Sequence, residues 1–180
     1  MIRGKVIALP IILGILFFLL MLDCDKTNPV HRQLGYSEEV KVLIVNAEDI
    51  GMHPEVTDAS LAAMKLGLVT SGSVMVPCPD CERVVDFWRR EPDLDLGIHL
   101  TMTCEWGAAY PWGPILPKEI VPSLYAQEGL MWPDVDSLIR HARMNEIYLE
   151  AEAQVKKILE AGMHPTHLDA HMGWYMANVD

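Results

Sequence analysis

The architecture follows from one segment, residues 41–54, which reads Lys41-Val42-Leu43-Ile44-Val45-Asn46-Ala47-Glu48-Asp49-Ile50-Gly51-Met52-His53-Pro54. Its apolar run, residues 42–45, is typical of a strand that is buried on both faces, as in a parallel sheet. A polar loop follows, and Pro54 suits the first turn of a helix that Gly67 would end. The segment therefore predicts a strand, a loop rich in polar groups and then a helix.

Similar patterns recur further along the chain. Further strands are predicted near residues 69–76, 94–100 and 166–171. Further helices are predicted near residues 81–90 and about 136–161, and the apolar stripe of the long helix consists of Tyr148, Ala151, Val155, Ile158 and Leu159. Residues 101–136 show no clean period, and a loop of that length in a folded domain is usually functional or flexible.

The order of these elements alternates between strands and helices. Such alternation predicts an α/β fold in which parallel strands are covered by helices. An open doubly wound sheet and a (β/α) barrel would both fit. A barrel of this class needs about 250 residues, whereas the chain has 180. We therefore expect an incomplete (β/α) barrel, the N-terminal part of a domain whose C-terminal strands are missing.

The N-terminal segment resembles an export signal. Arg3 and Lys5 precede an uncharged apolar run, residues 6–22, so that residues 1–22 predict a hydrophobic helix serving as a signal peptide or a membrane anchor. Leu22-Asp23-Cys24 loosely resembles a lipoprotein signal. Residues 23–39 predict a polar tether, and residues 40–180 the folded domain. We expect an exported protein, periplasmic or extracellular, that contacts a membrane through this segment if it is not cleaved.

The composition restricts the partners of the protein. Hydrophobic residues make up 51% of the chain, which argues against disorder. The formal net charge is -11, and so acidic a surface repels phosphate backbones. Nucleic acid is therefore not an expected partner, whereas neutral sugars or a metal cation held by carboxylates suit this charge.

One cysteine pair, Cys78-Pro79-Asp80-Cys81, has the C-x-x-C spacing. A single pair of this kind is only a weak indication of zinc. In an exported protein it could form a short disulfide or a redox pair. Two incidental thiols at the start of a helix are the remaining interpretation.

Three polar stretches lie at the C-terminal ends of predicted strands. They are Asn46-Ala47-Glu48-Asp49-Ile50-Gly51, Gly97-Ile98-His99-Leu100-Thr101 and His164-Pro165-Thr166-His167-Leu168-Asp169-Ala170-His171. The C-terminal ends of parallel strands converge on one face, so Asp49, His99 and His171 are expected to meet there. Two imidazoles and one carboxylate form a divalent-metal set that leaves positions open for water and substrate.

The same three stretches resemble the motifs of one family. They are similar to the N-A-D-D-F-G, G-x-H-L-T and P-T-H-x-D-S-H motifs of the YdjC/ChbG-like carbohydrate deacetylases, with Glu48, Ile50 and Ala170 as departures. The resemblance implies a distorted (β/α) barrel and a divalent ion, magnesium or zinc, with Asp49, His99 and His171 as its ligands. It also implies hydrolysis of the N-acetyl group, a linear amide, on short glucosamine-containing oligosaccharides.

The expected chemistry is metal-assisted amide hydrolysis, in which a carboxylate removes a proton from the attacking water. Glu48 stands where the motif has an Asp, and it is the candidate base. Asp169 is the other candidate, and it could equally orient a histidine ligand. In the long loop, Trp106, Tyr110 and Trp112 are expected either to stack on sugar rings or to pack in the interior.

Other classes of protein remain as alternatives. The main alternative is a non-catalytic, membrane-tethered sugar-binding pseudoenzyme that kept the site but lost the base, because Glu48 departs from the motif. A metal-dependent phosphoesterase is less favoured, since the chain is acidic and lacks a Gly-rich phosphate loop. A thiol redox protein using Cys78 and Cys81 would lack the expected thioredoxin-like surroundings.

Overall fold

The computed structural model describes residues 29–126 and 129–176. The chain divides into two units, Met1–Leu43 and Ile44–Asp180, which we treat separately. In the first unit, the described residues form a one-turn helix, Val30–Gln33, that has no buried side chain. The apolar run predicted as a signal or anchor, and Cys24, lie outside the described residues. Within the two described ranges, no helix is both long and apolar enough to cross a membrane.

The described residues of the second unit are built on a parallel sheet of four strands. The strands are β1 (Asn46–Ile50), β2 (Ser71–Val74), β3 (Leu96–Leu100) and β4 (Leu168–Ala170). They are arranged in the order β1-β2-β3-β4, and every neighbouring pair is parallel. The predicted α/β class with parallel strands is confirmed. The order contains no reversal, which is the arrangement that a (β/α) barrel requires and that a doubly wound sheet lacks.

Helices connect the strands, as parallel pairing demands. They are α1 (Pro54–Lys65), α2 (Cys81–Trp88), α3 (Val135–His141) and α4 (Met144–Glu160). A short 3-10 turn lies at Pro122–Leu124, and a 3-10 segment at His171–Met176 is kinked at Met172 and Gly173, whose backbone is left-handed. Of these helices, α1 follows β1 and α2 follows β2, while α3 and α4 both lie between β3 and β4. The predicted ranges of the first two helices and the last three strands contain or closely match the observed ones.

The two faces of the sheet differ in chemistry. One face carries Ile50, Val74 and Ile98, which belong to a single buried apolar cluster with side chains of α1, α2 and α4. The opposite face carries polar groups, including Ser73 and His99, which contact each other and both hydrogen-bond to Asp169 of β4. Side chains alternate along a strand, so the helix-covered face supplies the hydrophobic stabilisation and the other face is free to carry a polar site.

The first strand begins later than the sequence predicted. Residues 42–45 form no strand, and their side chains are exposed, up to 77% for Leu43. Hydrogen bonding towards β2 begins at Val45, whose carbonyl accepts the N–H groups of Thr70 and Ser71. The prediction of a buried strand at residues 42–45 is therefore wrong, because strand pairing and not apolar content sets where β1 begins.

The predicted long helix is divided into two. Helix α3 ends at His141, and Ala142 and Arg143 have extended backbone before α4 begins. The N–H of Arg143 donates to the hydroxyl of Ser123 in the long loop at 2.9 Å. In a continuous helix the same N–H would donate to a carbonyl of the helix itself. The prediction of one continuous helix over residues 136–161 is therefore wrong.

The buried stripe of α4 is mostly polar. Its buried side chains are Glu146, Glu150, Gln154 and Ile158, spaced four residues apart. Of the predicted apolar stripe only Ile158 is fully buried, and Tyr148 is 66% exposed. The predicted apolar stripe is therefore confirmed for Ala151, Val155 and Ile158, which pack against the buried clusters. It is wrong for Tyr148 and Leu159, which are exposed.

The polar stripe of α4 orders the loop that lacked a sequence pattern. Glu150 accepts the N–H groups of Ile115 and Leu116 at 2.9 and 3.0 Å. Gln154 pairs with both the N–H and the carbonyl of Thr101, at 3.0 and 2.7 Å. Buried backbone groups need hydrogen-bond partners. The loop has no regular backbone hydrogen bonding of its own, so side chains of α4 supply these partners.

Replacing Glu150 by Gln should lower the free energy of unfolding. The amide offers one acceptor oxygen instead of two, so one of the N–H groups of Ile115 and Leu116 stays buried and unpaired, at a cost of about 1–3 kcal/mol. The exposed Glu152 on the same helix is the matched control, and Glu152→Gln should change stability by less than about 0.5 kcal/mol. Denaturant titration measures both, and equal stability of the two variants would contradict this role of Glu150.

Candidate metal centre

Side chains from three strands meet at the C-terminal edge of the sheet. Asp49 lies near the end of β1, His99 in β3 and His171 directly after β4. Asp49 Oδ1 is 3.3 Å from His99 Nε2 and 3.0 Å from His171 Nδ1. One ligand atom from each of the three residues lies within 4.8 Å of the other two. The structure therefore brings together the three side chains that the sequence proposed as metal ligands.

An irregularity in β1 aims two adjacent carboxylates at the same imidazole. In a regular strand Glu48 and Asp49 would point to opposite faces. Here the pairing with β2 shifts register between Ala47 and Ile50, and Asp49 takes a left-handed backbone with φ 58°. As a result Glu48 Oε2 and Asp49 Oδ1 lie 3.7 and 3.3 Å from His99 Nε2. Bulges re-aim side chains in this way, and Asp tolerates positive φ better than most residues.

His99 is held from behind by Asp169. The ring is buried, and its Nδ1 lies 2.7 Å from Asp169 Oδ1. Because an ionised carboxylate can only accept, Nδ1 carries a proton and Nε2 faces Asp49. Asp169 is fixed in turn through its other oxygen, which accepts from Ser73 Oγ at 2.8 Å and from Asn46 Nδ2 at 3.3 Å.

The glycine of the second motif is required by the neighbouring strand. A Cβ added at Gly97 would lie 2.5 Å from His167 Nε2 and 2.6 Å from the His167 carbonyl oxygen. That separation is shorter than atoms of this kind tolerate. Any larger residue would push β4 away from β3, and with it Asp169 and His171.

His171 is held by a residue that sequence reasoning missed. Glu105 Oε2 lies 2.8 Å from His171 Nε2, so this nitrogen donates to the carboxylate and Nδ1 faces Asp49. The Trp112 ring packs edge-on against the same imidazole, with centroids 6.2 Å apart. Glu105 lies in the segment without periodicity, and no spacing or motif in the sequence pointed to it.

The donor set fits a cation. Asp49 Oδ1 and His99 Nε2 are both buried, and among the described residues neither has a hydrogen-bond partner. Buried polar atoms without partners are rare and cost free energy. Two imidazole nitrogens and one carboxylate oxygen that converge without hydrogen-bonding one another are suited to a divalent ion.

The carboxylates and imidazoles of the site shift one another's pKa values. His171 first, and then His99, hold the pKa of the Asp49 carboxyl well below its usual range. Burial opposes the charged form of His99, but Asp169 and then Asp49 outweigh it and raise the pKa of His99 to about 9. The carboxylates therefore attract positive charge to this point, which protons or a metal ion can supply.

The remaining predicted residues take different positions. Trp112 is only 3% exposed and its Nε1 donates to the Thr103 carbonyl, so of its two expected positions the interior one is confirmed. Trp106 is half exposed and meets Tyr110 edge-on at 5.6 Å, close to the turn that carries Glu105. Glu48 reaches His99 from an exposed position.

The cysteine pair shows no sign of redox chemistry. Cys78 and Cys81 are both free and buried. Burial raises the pKa of Cys81 to about 11 and raises that of Cys78 further. Reactive thiols need a lowered pKa, so the structure favours two packed thiols at the start of α2.

The fold and site define a class: an α/β protein with a candidate divalent-metal centre at the carboxyl edge of a parallel sheet. Residues 42–179 match the family model of the YdjC-like proteins. The chain belongs to the YdjC-like family, as its three motifs predicted.

Curated relatives share this region of the chain. A protein from Enterococcus faecalis named carbohydrate deacetylase is 35% identical over 132 residues, which cover 73% of this chain and 48% of that protein. Proteins of the same name from Geobacillus stearothermophilus and Brevibacillus brevis are 33% and 36% identical, over 71% and 72% of this chain and 48% of each relative. The chain therefore spans about half the length of the curated relatives it matches.

A solved structure has the same fold. It comes from Enterococcus faecalis V583 and is called a "putative cellobiose-phosphate cleavage protein". It superposes with a TM-score of 0.65 at 34% identity, covering 72% of this chain and 48% of that one. The likeness supports a (β/α) barrel-like arrangement of the four parallel strands.

The three converging side chains should bind one divalent ion. We expect isothermal titration calorimetry with zinc to show one site. His99→Ala or His171→Ala should lower the zinc affinity by more than about 100-fold, because losing a metal ligand costs more affinity than losing a residue that hydrogen-bonds to a ligand. The exposed His164 provides the control, because His164→Ala removes an imidazole outside the cluster and should leave the affinity unchanged. Zinc binding that survives both cluster substitutions would place the ion elsewhere.

Proposed function

We propose that the protein is a metal-dependent carbohydrate deacetylase that hydrolyses the N-acetyl group of amino-sugar oligosaccharides. The relatives named carbohydrate deacetylase support the reaction class. The observation that carries the proposal is the cluster of Asp49, His99 and His171, in which two buried ligand atoms lack hydrogen-bond partners among the described residues. Amide hydrolysis without a covalent intermediate requires an activated water, and this cluster is where one would bind.

Asp49, His99 and His171 would hold the ion. When bound, the ion would polarise the acetyl carbonyl and lower the pKa of a coordinated water. Imidazole nitrogens suit zinc, whereas magnesium prefers a shell of oxygen atoms and water. Two imidazoles among three protein ligands therefore favour zinc over magnesium.

Glu48 is the general base in this proposal. Its carboxylate lies 3.7 Å from His99 Nε2, beside the proposed ion, and the side chain is 63% exposed. His99 is the one described residue with which it forms an ion pair or hydrogen bond, so the carboxylate is free to accept a proton. Glu48 would take the proton as water adds to the carbonyl carbon. It would return the proton to the amine nitrogen as the carbon–nitrogen bond breaks, leaving acetate.

Asp169 takes the other role that the sequence left open. Its two oxygens are engaged by His99, Ser73 and Asn46. They lie on the Nδ1 side of His99, away from the Nε2 atom that faces Asp49. We assign Asp169 to the orientation of His99, since carboxylate–histidine pairs commonly orient metal ligands.

The exposed ring of Trp106 is the proposed sugar platform. Trp106 follows Glu105 directly, and Glu105 contacts His171, so the ring stands at the border of the metal centre. Tyr110 supports it edge-on, and His53 from the loop after β1 supports Tyr110 with centroids 4.8 Å apart. Aromatic faces of this kind offer apolar area to sugar rings.

Substitution of Glu48 separates an enzyme from a pseudoenzyme. In the complete protein, Glu48→Gln should reduce acetate release from chitin oligosaccharides by about 100- to 10,000-fold, the usual contribution of a general base. The metal content should stay unchanged. Glu48→Asp keeps the carboxylate and should retain measurable activity. The exposed Glu119 serves as control, and Glu119→Gln should match the parent.

The alternative outcomes of that experiment are distinct. If Glu48→Gln is as active as the parent, the base lies elsewhere and Asp169 becomes the better candidate. If the metal-loaded parent binds the oligosaccharide but releases no acetate, the protein is a sugar-binding pseudoenzyme. If it neither binds the sugar nor releases acetate, the proposed substrate class is wrong.

A further inference from the structure

Each imidazole of the metal centre has a carboxylate behind it. His99 faces Asp49 through Nε2 and Asp169 through Nδ1, at 3.3 and 2.7 Å. His171 faces Asp49 through Nδ1 and Glu105 through Nε2, at 3.0 and 2.8 Å. The two rings thus use opposite nitrogens towards the centre, and each is fixed through the nitrogen that points away.

The turn that carries Glu105 is itself fixed. The N–H of Cys104 donates to the Trp132 carbonyl at 2.8 Å, and the Trp112 indole donates to the Thr103 carbonyl at 2.7 Å. Cys104 is buried in an apolar cluster that also contains Trp112. The backbone on the N-terminal side of Glu105 is therefore held by packing and by hydrogen bonds, which limits where its carboxylate can reach.

Among the described residues, Glu105 has no other side-chain partner that would explain its position. In the part of the chain that the structure describes, its carboxylate bonds to His171 and to no other side chain. It caps no helix, because α3 and α4 begin after it and α2 ends before it. A partly buried carboxylate beside other carboxylates is unfavourable unless positive charge lies nearby.

The charges around the centre also favour a bound cation. The carboxylates of Glu48, Asp49, Glu105 and Asp169 surround the two imidazoles, and within the described ranges their ion pairs are with histidine and never with Lys or Arg. Glu105 therefore adds negative charge to a site where, among the described residues, histidines alone pair with the carboxylates. That arrangement is favourable once a divalent ion occupies the centre.

We propose that Glu105 is a positioning residue of the metal centre, which fixes the ring and tautomer of His171 so that its Nδ1 lone pair is directed at the ion. The inference rests on the proposed metal-dependent function, because it assigns a partner to one of the proposed ligands. By accepting the proton of Nε2, Glu105 leaves Nδ1 unprotonated and makes it a stronger donor. It acts through His171.

Zinc affinity tests this role apart from catalysis. Glu105→Gln keeps the size of the side chain but loses the charge, and Glu105→Ala removes the contact. We expect both to weaken zinc binding in calorimetry by about 10- to 100-fold, the usual effect of losing an outer partner of a histidine ligand. Glu82, an exposed residue of α2, gives the matched control, and Glu82→Gln should bind zinc as the parent does. Thermal unfolding of the metal-free variants checks that each remains folded.

A spectroscopic readout distinguishes positioning from general destabilisation. In the zinc-loaded parent, long-range proton–nitrogen NMR should place the His171 proton on Nε2 and zinc on Nδ1. In Glu105→Ala that pattern should change, with His171 signals that are broadened or belong to the opposite tautomer, while the pattern of His99 is kept. Glu105→Asp should restore part of the affinity.

The possible outcomes separate the two proposals. If the parent binds zinc and both Glu105 variants bind it equally well with an unchanged His171 pattern, the positioning role is wrong and the metal centre stands. If the parent binds no zinc, manganese or magnesium, the metal centre itself is wrong, and this inference is overturned with it. Weaker binding together with a changed His171 pattern supports the proposal.

Discussion

The candidate metal centre depends on one oxygen atom, Asp49 Oδ1. Two imidazoles converge on it, one from β3 and one from the residue directly after β4. His99 Nε2 and His171 Nδ1 approach it to 3.3 and 3.0 Å. Such an approach is possible only when the strands run parallel and in sequence, since their carboxyl ends then lie along one edge. The sheet order β1-β2-β3-β4 provides this edge. The left-handed backbone of Asp49, a costly conformation for a residue other than glycine, is retained where it turns this oxygen towards the centre.

The surroundings of the centre serve to hold these atoms still. Asp169 and Glu105 fix the two imidazoles from outside, and Ser73 and Asn46 fix Asp169. Further away, α4 orders the loop that carries Glu105 through a stripe of buried polar side chains, together with apolar packing by Ile147 and Ala151. A site that must keep two buried atoms free of hydrogen bonds needs such support, because flexible neighbours would otherwise move in and satisfy them.

The sequence predicted the site residues that lie at the ends of strands. It did not predict features that depend on hydrogen bonding between strands, such as the start and the register of β1. Asp49, His99 and His171 could be found because each closes a strand, and parallel topology brings strand ends together. The start of β1 could not be found, because residues 42–45 are more apolar than the strand itself and only the hydrogen bonds to residues 70 and 71 place it. The register shift that turns Glu48 and Asp49 to the same side leaves no periodic signal. Glu105 was missed because its role depends on contact with His171, a residue distant in sequence, and no spacing of residues in the sequence indicates that contact.

A crystal structure of the complete protein with zinc, with anomalous scattering recorded at the zinc absorption edge, would show whether Asp49, His99 and His171 hold the ion. We expect one strong anomalous peak bonded to Asp49, to His99 through Nε2 and to His171 through Nδ1, with Glu105 and Asp169 still behind the two rings. A fully loaded crystal whose zinc lies at Cys78 and Cys81, or at another group of residues, while these three side chains remain without a metal, would contradict it.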